Sequence, residues 1–324
     1  MAELIDQLFL GKLGNPVLDQ RDDSGVFQIG NSYVAFTTDS FVVDPLFFPG
    51  GDIGRLAVFG TVNDLACAAA TPLYITSSFI LEEGLDMATL EAVVDSMRAA
   101  ADEAGVTVAA GDTKVVPNGA ADRMFITTAG IGLLRTDSGR PYLVSGSLAR
   151  PGDAVLLSGT LADHGMAVMS RREGLAFESE IVSDAAPISG LVAAVLDACP
   201  SVHALRDPTR GGLASALNEI ARQSGVCMEV EESAIPVGEP ARAACELLGI
   251  DPLYVANEGK VVAIIAPEGA DAALEAMRSH PLGRQAVRIG KVLESPAGRV
   301  HLITPYGNRR ILVLAHGEPL PRIC

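Results

Sequence analysis

With 324 residues, 48% hydrophobic and 20% charged side chains and no low-complexity run, the chain is a globular protein long enough for two cores. Its formal net charge of −16 argues against nucleic acid or an anionic membrane as partner, yet admits a phosphate substrate if carboxylates first gather a divalent cation. No apolar stretch is long enough to span a bilayer, the start Met1 to Asp6 is acidic, unlike a signal peptide, and five cysteines without a Cys-x-x-Cys pair exclude a disulfide framework or zinc site; a cytoplasmic location is expected.

In chain order, strands are predicted at 26–29 and 33–37, followed by a helix at 53–70 stopped by Pro72. A strand at 74–81, a helix at 87–104 closed by Gly105, and strands at 107–110 and 124–134 complete a first α/β unit. The stretch 135–152 is rich in Gly, Ser and Pro and is the predicted domain boundary. An α+β set follows, with strands at 154–158, 226–230, 254–256, 261–265, 287–292 and 309–314, and helices near 166–172, 188–198, 211–224, 239–248 and 270–279. Cys67, Cys199, Cys227 and Cys245 lie in apolar runs and read as small core residues.

Several carboxylates break local rules. Asp39 ends an apolar strand, Asp64 lies inside a helix otherwise fit for burial, and Asp112 follows Ala109-Ala110-Gly111 where a strand meets a turn. Asp22 and Asp23 add two more near the start. Oxygen ligands without accompanying Cys or His suit Mg²⁺, and Mg²⁺ points to nucleotide phosphate. Arg206-Asp207-Pro208-Thr209-Arg210-Gly211-Gly212 opens a helix that Thr209 is placed to cap and that offers an anion site; Gly50-Gly51-Asp52-Ile53-Gly54 is a weaker example. There is no P-loop, kinase signature or Gly-x-Ser-x-Gly elbow. Glu258 in Asn257-Glu258-Gly259-Lys260 is not required by a turn, and Lys114 follows Asp112 closely. His164 reads equally as a site residue or a helix cap.

The chain ends Glu318-Pro319-Leu320-Pro321-Arg322-Ile323-Cys324. Two prolines keep such a tail extended at roughly 3 Å per residue, so it can carry a thiol about 20 Å from the last packed strand.

The stretches Thr37 to Val43, Pro45 to Gly54, Gly60 to Leu65, Gly111 to Val116, Asp163 to Gly165, Arg206 to Leu213, Asp251 to Lys260 and the terminal Pro321-Arg322-Ile323-Cys324 resemble the HypE family of hydrogenase maturation proteins. That family is similar in turn to the aminoimidazole ribonucleotide synthetase (PurM-like) superfamily, which includes selenophosphate synthetase and thiamine-phosphate kinase. The resemblance implies an ATP-binding and dimerisation domain over 1–145 with a mixed sheet that pairs across a homodimer, an α+β domain over 146–314, and a flexible tail over 315–324. It also implies a His- and Gly-rich leader ahead of the helix matching 3–9; the sequence begins at Met1, almost on that helix.

The implied chemistry is ATP-dependent dehydration. Cys324, carbamoylated by the carbamoyltransferase HypF, becomes a thiocyanate whose cyanide passes to a HypC–HypD complex. By the same resemblance Asp39, Asp64 and Asp112, assisted by Asp22 or Asp23, hold Mg²⁺ on ATP. Asn63, Thr113, Arg210, Gly211 and Gly212 join the nucleotide contacts. Glu258 accepts protons, and Lys114 stabilises charge on oxygen. Two other readings stay open: a superfamily enzyme acting on a diffusible small molecule, and a non-catalytic scaffold whose tail docks a partner.

Overall fold

The computed structural model describes residues 4–137, 139–175, 180–314 and 320–324. A helical segment, Ile5–Leu10 continued by Gly11–Leu13, comes first; Glu3, the predicted start of that helix, lies outside the described residues. The first sheet contains β1 (Gly25–Ile29), β2 (Ser32–Phe41), β5 (Ala70–Glu82), β6 (Thr107–Val116) and β7 (Met124–Leu134), in the order β1-β2-β7-β5-β6. All its pairs are antiparallel except β5–β6, whose parallel crossover is made by a helix. Two short strands, β3 (Phe47–Phe48) and β4 (Gly51–Asp52), lead into α1 (Ile53–Cys67), and α2 (Met87–Ala104) makes the crossover.

After the hairpin β8 (Thr136–Asp137) and β9 (Arg140–Pro141), a seven-stranded sheet forms from β10 (Ala154–Leu157), β11 (Val202–Arg206), β12 (Cys227–Glu231), β13 (Val262–Ile265), β14 (Val287–Leu293), β15 (Arg299–Ile303) and β16 (Arg309–Ile311), ordered β11-β13-β10-β14-β12-β15-β16. Its helices are α3 (Asp163–Arg172), α4 (Ser189–Ala198), α5 (Gly212–Ser224), α6 (Glu239–Leu248) and α7 (Ala270–Ser279).

Local chemistry explains the two helices that matter most. Asp52 caps α1, accepting from Gly54 N at 2.7 Å and Arg55 N at 3.2 Å. That carboxylate takes the helix end, so the expected weak anion site there is not formed. α1 is buried almost all round, so its sequence carries no amphipathic stripe. Gly60 lets it lie against β2: a Cβ there would meet the Phe41 ring at 2.8 Å. The next turn of the helix then presents Asp64 to Asp39. α2 is capped by Asp86, which accepts from Thr89 N at 2.8 Å, and closes on Gly105 at φ 70°.

Several predicted elements differ. Pro72 lies inside β5, where the chain has already left α1 at Cys67. The strand expected to end at 110 runs to Val116, so Asp112 is mid-strand and not at a turn. Residues 252–254 form a 3₁₀ turn where a strand was expected at 254–256, because Asp251 accepts from Leu253 N at 3.0 Å and winds the chain. β11 and β15 were not predicted: β11 is buried nearly throughout and lacks a period-two signal.

The tail is the largest revision. The expected extended form at 318–319 lies outside the described residues, but Leu320 and Ile323 are 7% and 3% exposed. They belong to a core cluster that also contains Phe59 of α1 and Met166 of α3, so the tail end is packed between the domains rather than outside the core.

Asn63, assigned above to nucleotide, is instead a clasp between domains. Its amide donates to Ala186 O at 3.1 Å and Glu258 O at 3.0 Å, and its carbonyl accepts from Ile188 N at 2.9 Å. Asn63→Ala would leave three buried groups without partners and should lower unfolding free energy by about 2–4 kcal/mol. Denaturant titration followed in both domains checks this; an unchanged midpoint would show the clasp to be dispensable.

Candidate active site at the domain junction

Four carboxyl groups and the terminal thiol meet in a cavity of about 200 Å³ lined by Asp39, Asp64, Asp207, Arg210, Glu258 and Cys324, among others. Asp39 comes from β2 and Asp64 from α1. Asp207 follows β11, Glu258 precedes β13, and Cys324 arrives with the tail.

The two N-domain carboxyls touch. Asp64 accepts from Thr37 Oγ1 at 2.7 Å, and a carboxyl–carboxyl hydrogen bond joins Asp39 to Asp64. Two full charges in such contact would repel, which favours a proton shared between them. Burial first, then the charges of Asp39, Asp207 and Asp23, pushes Asp64 well above the usual carboxylate range. Burial pushes Asp39 up as well, against the pull of Arg210. Asp207 rises through burial and the charges of Asp23 and Asp39. Glu258 rises through burial and the charges of Asp207, Asp184 and Asp39.

Asp22 and Asp23 stand one step behind. Asp23 pairs with Arg206 Nε at 3.1 Å, and burial still raises it to about 6. Asp22 accepts from Gly146 N at 2.8 Å and lies 3.8 Å from Arg206, so it ties the chain start to the second domain rather than facing the cavity. Cys67 donates to Asp207 Oδ1 at 4.0 Å; burial and then the carboxylate charges keep its thiol protonated. Atoms of Asp23, Cys67 and Asp207 lie within 4.8 Å of one another.

Asp207 Oδ2, Glu258 Oε1 and Asp23 Oδ2 are buried without a hydrogen-bond partner. Unsatisfied carboxylate oxygens, all hard donors, fit a Mg²⁺-like cation.

Glu258 is fixed through its backbone. Its carbonyl accepts from Asn63, and its N–H donates to Asp184 Oδ1 at 3.1 Å. Asp184 in turn meets Lys260 Nζ at 3.0 Å. Burial works against the Asp184 anion, but Lys260 and the Glu258 N–H hold it below its ordinary value. Asn257, wholly buried, donates to Pro208 O at 3.0 Å and accepts from Ala162 N at 2.8 Å, so the loop after Asp207, the start of α3 and Glu258 form one unit.

The start of α5 differs from expectation. Thr209 makes no side-chain cap; the N-cap is Gly211 at φ 75°. Gly212, at φ 60°, donates its N–H to Thr209 O, and a Cβ there would lie 2.6 Å from Val255 O and 2.7 Å from Leu253 O. The glycines therefore serve the turn and its packing, while Arg210 lines the cavity and bonds to the Cys324 side chain.

Asp112, Thr113 and Lys114 are not brought to this cavity. On β6 the register sets Gly111 opposite Ser77 and Asp112 opposite Ser78, and Ser77 is buried on the side of the sheet that α1 covers. Alternation turns Asp112 and Lys114 to the other face, where they pair at 2.7 Å with side chains 63% and 68% exposed. A wider groove of about 770 Å³ lies between α2 and β6; Asp112 and Thr113 border it, with Asp102 of α2 on its other side.

The tail is held by groups the sequence left unassigned or unmentioned. His164 Nε2 lies 2.9 Å from Ile323 O and its Nδ1 2.8 Å from Ser183 Oγ. Burial keeps this imidazole below its ordinary pKa, so it is neutral, with the proton on Nε2 because a carbonyl only accepts. Arg172 donates to Pro321 O at 2.9 Å, to Arg322 O at 2.6 Å and to Asp44 O at 2.7 Å. Val42 N donates to Cys324 O at 3.0 Å and Asp44 N to Arg322 O at 3.3 Å. The thiol of Cys324 is pushed up to about 12 by burial and the Glu258 charge, against the pull of Arg210. Asp207 was within reach of the sequence: like Asp39, it is a carboxylate at the end of an apolar strand.

The AIR synthase related protein family models match the N-terminal domain at residues 21–134 and the C-terminal domain at residues 150–303. The chain is 55% identical over 325 residues to the carbamoyl dehydratase HypE of Azotobacter vinelandii, covering 100% of this chain and 94% of that one. The crystal structure of a HypE in complex with ATP matches at 49% identity and TM-score 0.87, covering 100% of this chain and 96% of that one. A HypE–HypF complex matches at 47% identity and TM-score 0.89, covering 98% and 99%. Both the two-domain PurM-like fold and the resemblance of the scattered motifs are borne out: the chain belongs to the HypE carbamoyl dehydratase family of AIR synthase related proteins.

Proposed function

We propose that this chain dehydrates a carbamoyl group carried on its own Cys324, using ATP, and so supplies the cyanide ligand for [NiFe] hydrogenase maturation. The observation that carries this is the terminal thiol standing inside the carboxylate cavity beside Glu258 and Arg210. A diffusible substrate would have no need of a covalently attached sulfur there.

The conversion is S–C(=O)–NH₂ to S–C≡N with loss of water. Two N–H protons and the oxygen must leave. ATP supplies the chemistry that makes the oxygen a leaving group, as phosphate, and Mg²⁺ supplies charge neutralisation for the transfer. Asp39, Asp64 and Asp207 offer the oxygen ligands for the cation. Glu258 accepts a proton from nitrogen: burial and neighbouring carboxylates make it a stronger base than a solvated glutamate once a cation or Arg210 offsets the surrounding charge. Arg210, in contact with the sulfur, stands where charge grows on the carbamoyl oxygen. The tail clamps hold the reacting carbon in place, and burial of Leu320 and Ile323 keeps water from the thiocyanate.

Asp112, Thr113 and Lys114 act, in this reading, on the site of a second copy. β6 is an edge strand whose residues Thr107–Val115 are exposed on both faces, an open template for another chain. The homodimer follows from that edge. HypF loads the thiol, in keeping with the HypE–HypF complex named above, and a HypC–HypD complex receives the cyanide. The cytoplasm is the fitting compartment; among the described residues no helix is long and apolar enough to cross a membrane.

Asp64→Asn should weaken divalent-cation binding by about tenfold or more while leaving cation-free stability unchanged or raised, since the crowding of two buried carboxyls is relieved. Calorimetric titration with Mg²⁺ beside thermal unfolding checks both; undiminished affinity would remove Asp64 from the ligand set. Because protonated carboxyls must ionise to ligate, Mg²⁺ affinity should rise with pH through and above the Asp23 range of about 6, and binding should release protons. Titration in two buffers of different ionisation enthalpy reads this directly, and no buffer dependence would contradict the shared proton. Finally, Lys114→Ala and Cys324→Ser chains, each inactive alone, should recover about a quarter of parental thiocyanate per chain when mixed and allowed to exchange, if Lys114 acts across the dimer. Peptide mass of the tail reports it; no recovery would return Lys114 to its own chain.

A further inference from the structure

We propose that Arg172 and His164 form a backbone latch that locks the docked tail in the register its apolar anchors choose, so that Cys324 and no neighbouring residue is presented to Glu258. This rests on the reading of Cys324 as cargo. The latch itself is a matter of geometry.

Three successive tail carbonyls are taken up by two side chains of one helix. Arg172, in the last turn of α3, binds Pro321 O and Arg322 O, while His164, in its first turn, binds Ile323 O at 2.9 Å. The tail thus runs along α3 with its carbonyls counted off. Two backbone bonds from the 42–44 segment fix the opposite side: Val42 N to Cys324 O at 3.0 Å and Asp44 N to Arg322 O at 3.3 Å. Arg172 also donates to Asp44 O, so the same guanidinium joins both walls of the slot. Among the described tail residues 320–324, Leu320 and Ile323 are buried, whereas Arg322 reaches outward to Asp122 at 2.7 Å. Hydrogen bonds to carbonyls repeat at every residue and do not by themselves define a register. The two apolar anchors, three residues apart, choose it, and the latch locks it.

His164 is pinned for this task. Ser183 donates to its Nδ1 and itself accepts from Ala185 N at 3.1 Å, which fixes the ring and leaves Nε2–H for the tail. The next residue, Asp184, accepts from the backbone N–H of Glu258. One short segment, Ser183-Asp184, therefore supports both the residue that holds the carbonyl before Cys324 and the residue that receives the proton. The distance between sulfur and base is set by that shared support. Arg172 and His164 are positioning residues; neither lines the cavity.

The test reads docking without requiring dehydration. Full-length protein is treated with iodoacetamide under native conditions and the alkylation rate of each cysteine is followed by peptide mass. Cys67, Cys199, Cys227 and Cys245 are buried and report on the fold, Cys67 beside Asp207 and Cys245 in the core cluster that also holds Leu320 and Ile323. Arg172→Ala and His164→Ala should raise the Cys324 rate about tenfold or more with the other four unchanged. His164→Gln, whose amide can still donate to the Ile323 carbonyl, should restore most of the protection. After carbamoylation, the single-turnover dehydration rate should fall in the two alanine variants and recover in His164→Gln. An unchanged Cys324 rate in both alanine variants overturns the latch, as does a parallel rise of all five thiols, which would make these residues supports of the fold. Failure of the functional reading looks different: the alkylation pattern as stated, with no loss of water from a carbamoylated tail in the parent protein.

Discussion

Carboxyl groups held together in one buried cavity are the constraint on which the rest of this structure depends. Asp39, Asp64, Asp207 and Glu258 share that small cavity, and every one of them is pushed above its ordinary pKa. Left to themselves such groups would move apart. The fold prevents it. Gly60 brings α1 close enough to β2 for Asp64 to meet Asp39, Asn63 on the same helix ties it to the second domain, and Asn257 locks the loops bearing Asp207 and Glu258 together. A bound cation would relieve that repulsion, and it would find its oxygen ligands already aligned.

The tail solves a complementary problem. A substrate fixed to the end of the chain needs no diffusional capture, but it has to be chemically quiet when docked and reactive elsewhere. Burial beside Glu258 pushes the Cys324 thiol up to about 12, so the docked sulfur is almost wholly protonated and a poor nucleophile at neutral pH. Loading of the thiol and dehydration of its product therefore call for different surroundings of one atom. A tail whose recognition rests on backbone carbonyls and two apolar anchors, and not on contacts to the sulfur alone, can dock with the thiol free or carbamoylated. That suits a carrier that returns to the same slot in successive chemical states.

What the sequence disclosed followed from how local the signal was. α2 and α6 were legible because each is amphipathic and ends at glycine, at Gly105 and Gly249. Asp39 and Asp64 were legible because a carboxylate in an apolar run has to be satisfied somehow. Asn63 was not: an amide three-way satisfied by Ala186, Ile188 and Glu258 depends on partners more than 120 residues away, and no local pattern separates it from a ligand to nucleotide. β11 escaped because a fully buried strand has no alternation, and with it went Asp207, the carboxylate at its end. His164 and Arg172 meet the tail 159 and 149 or 150 residues later in the chain, and their targets are carbonyls, which every residue carries.

Asp112 shows the limit in its sharpest form. Its neighbours in sequence, its acidity and its position after glycine all matched a metal ligand, but a strand turns alternate side chains to opposite faces. With Gly111 opposite Ser77, the residue that follows belongs to the uncovered face, where Lys114 neutralises it at 2.7 Å. A single-residue shift in pairing would have put Asp112 on the side of Asp39. The register thus separates two groups of functional candidates onto two surfaces of one sheet: carboxylates under the helices and the second domain, and a lysine–aspartate pair beside an open edge. A surface that exposes apolar Phe36, Tyr74, Ile80 and Val108 together with that pair is built to be covered. Covering it with the same surface of a second copy would remove the open edge and bring each Lys114 out of solvent. The lysine that is inert on an isolated chain would then owe its chemistry to assembly.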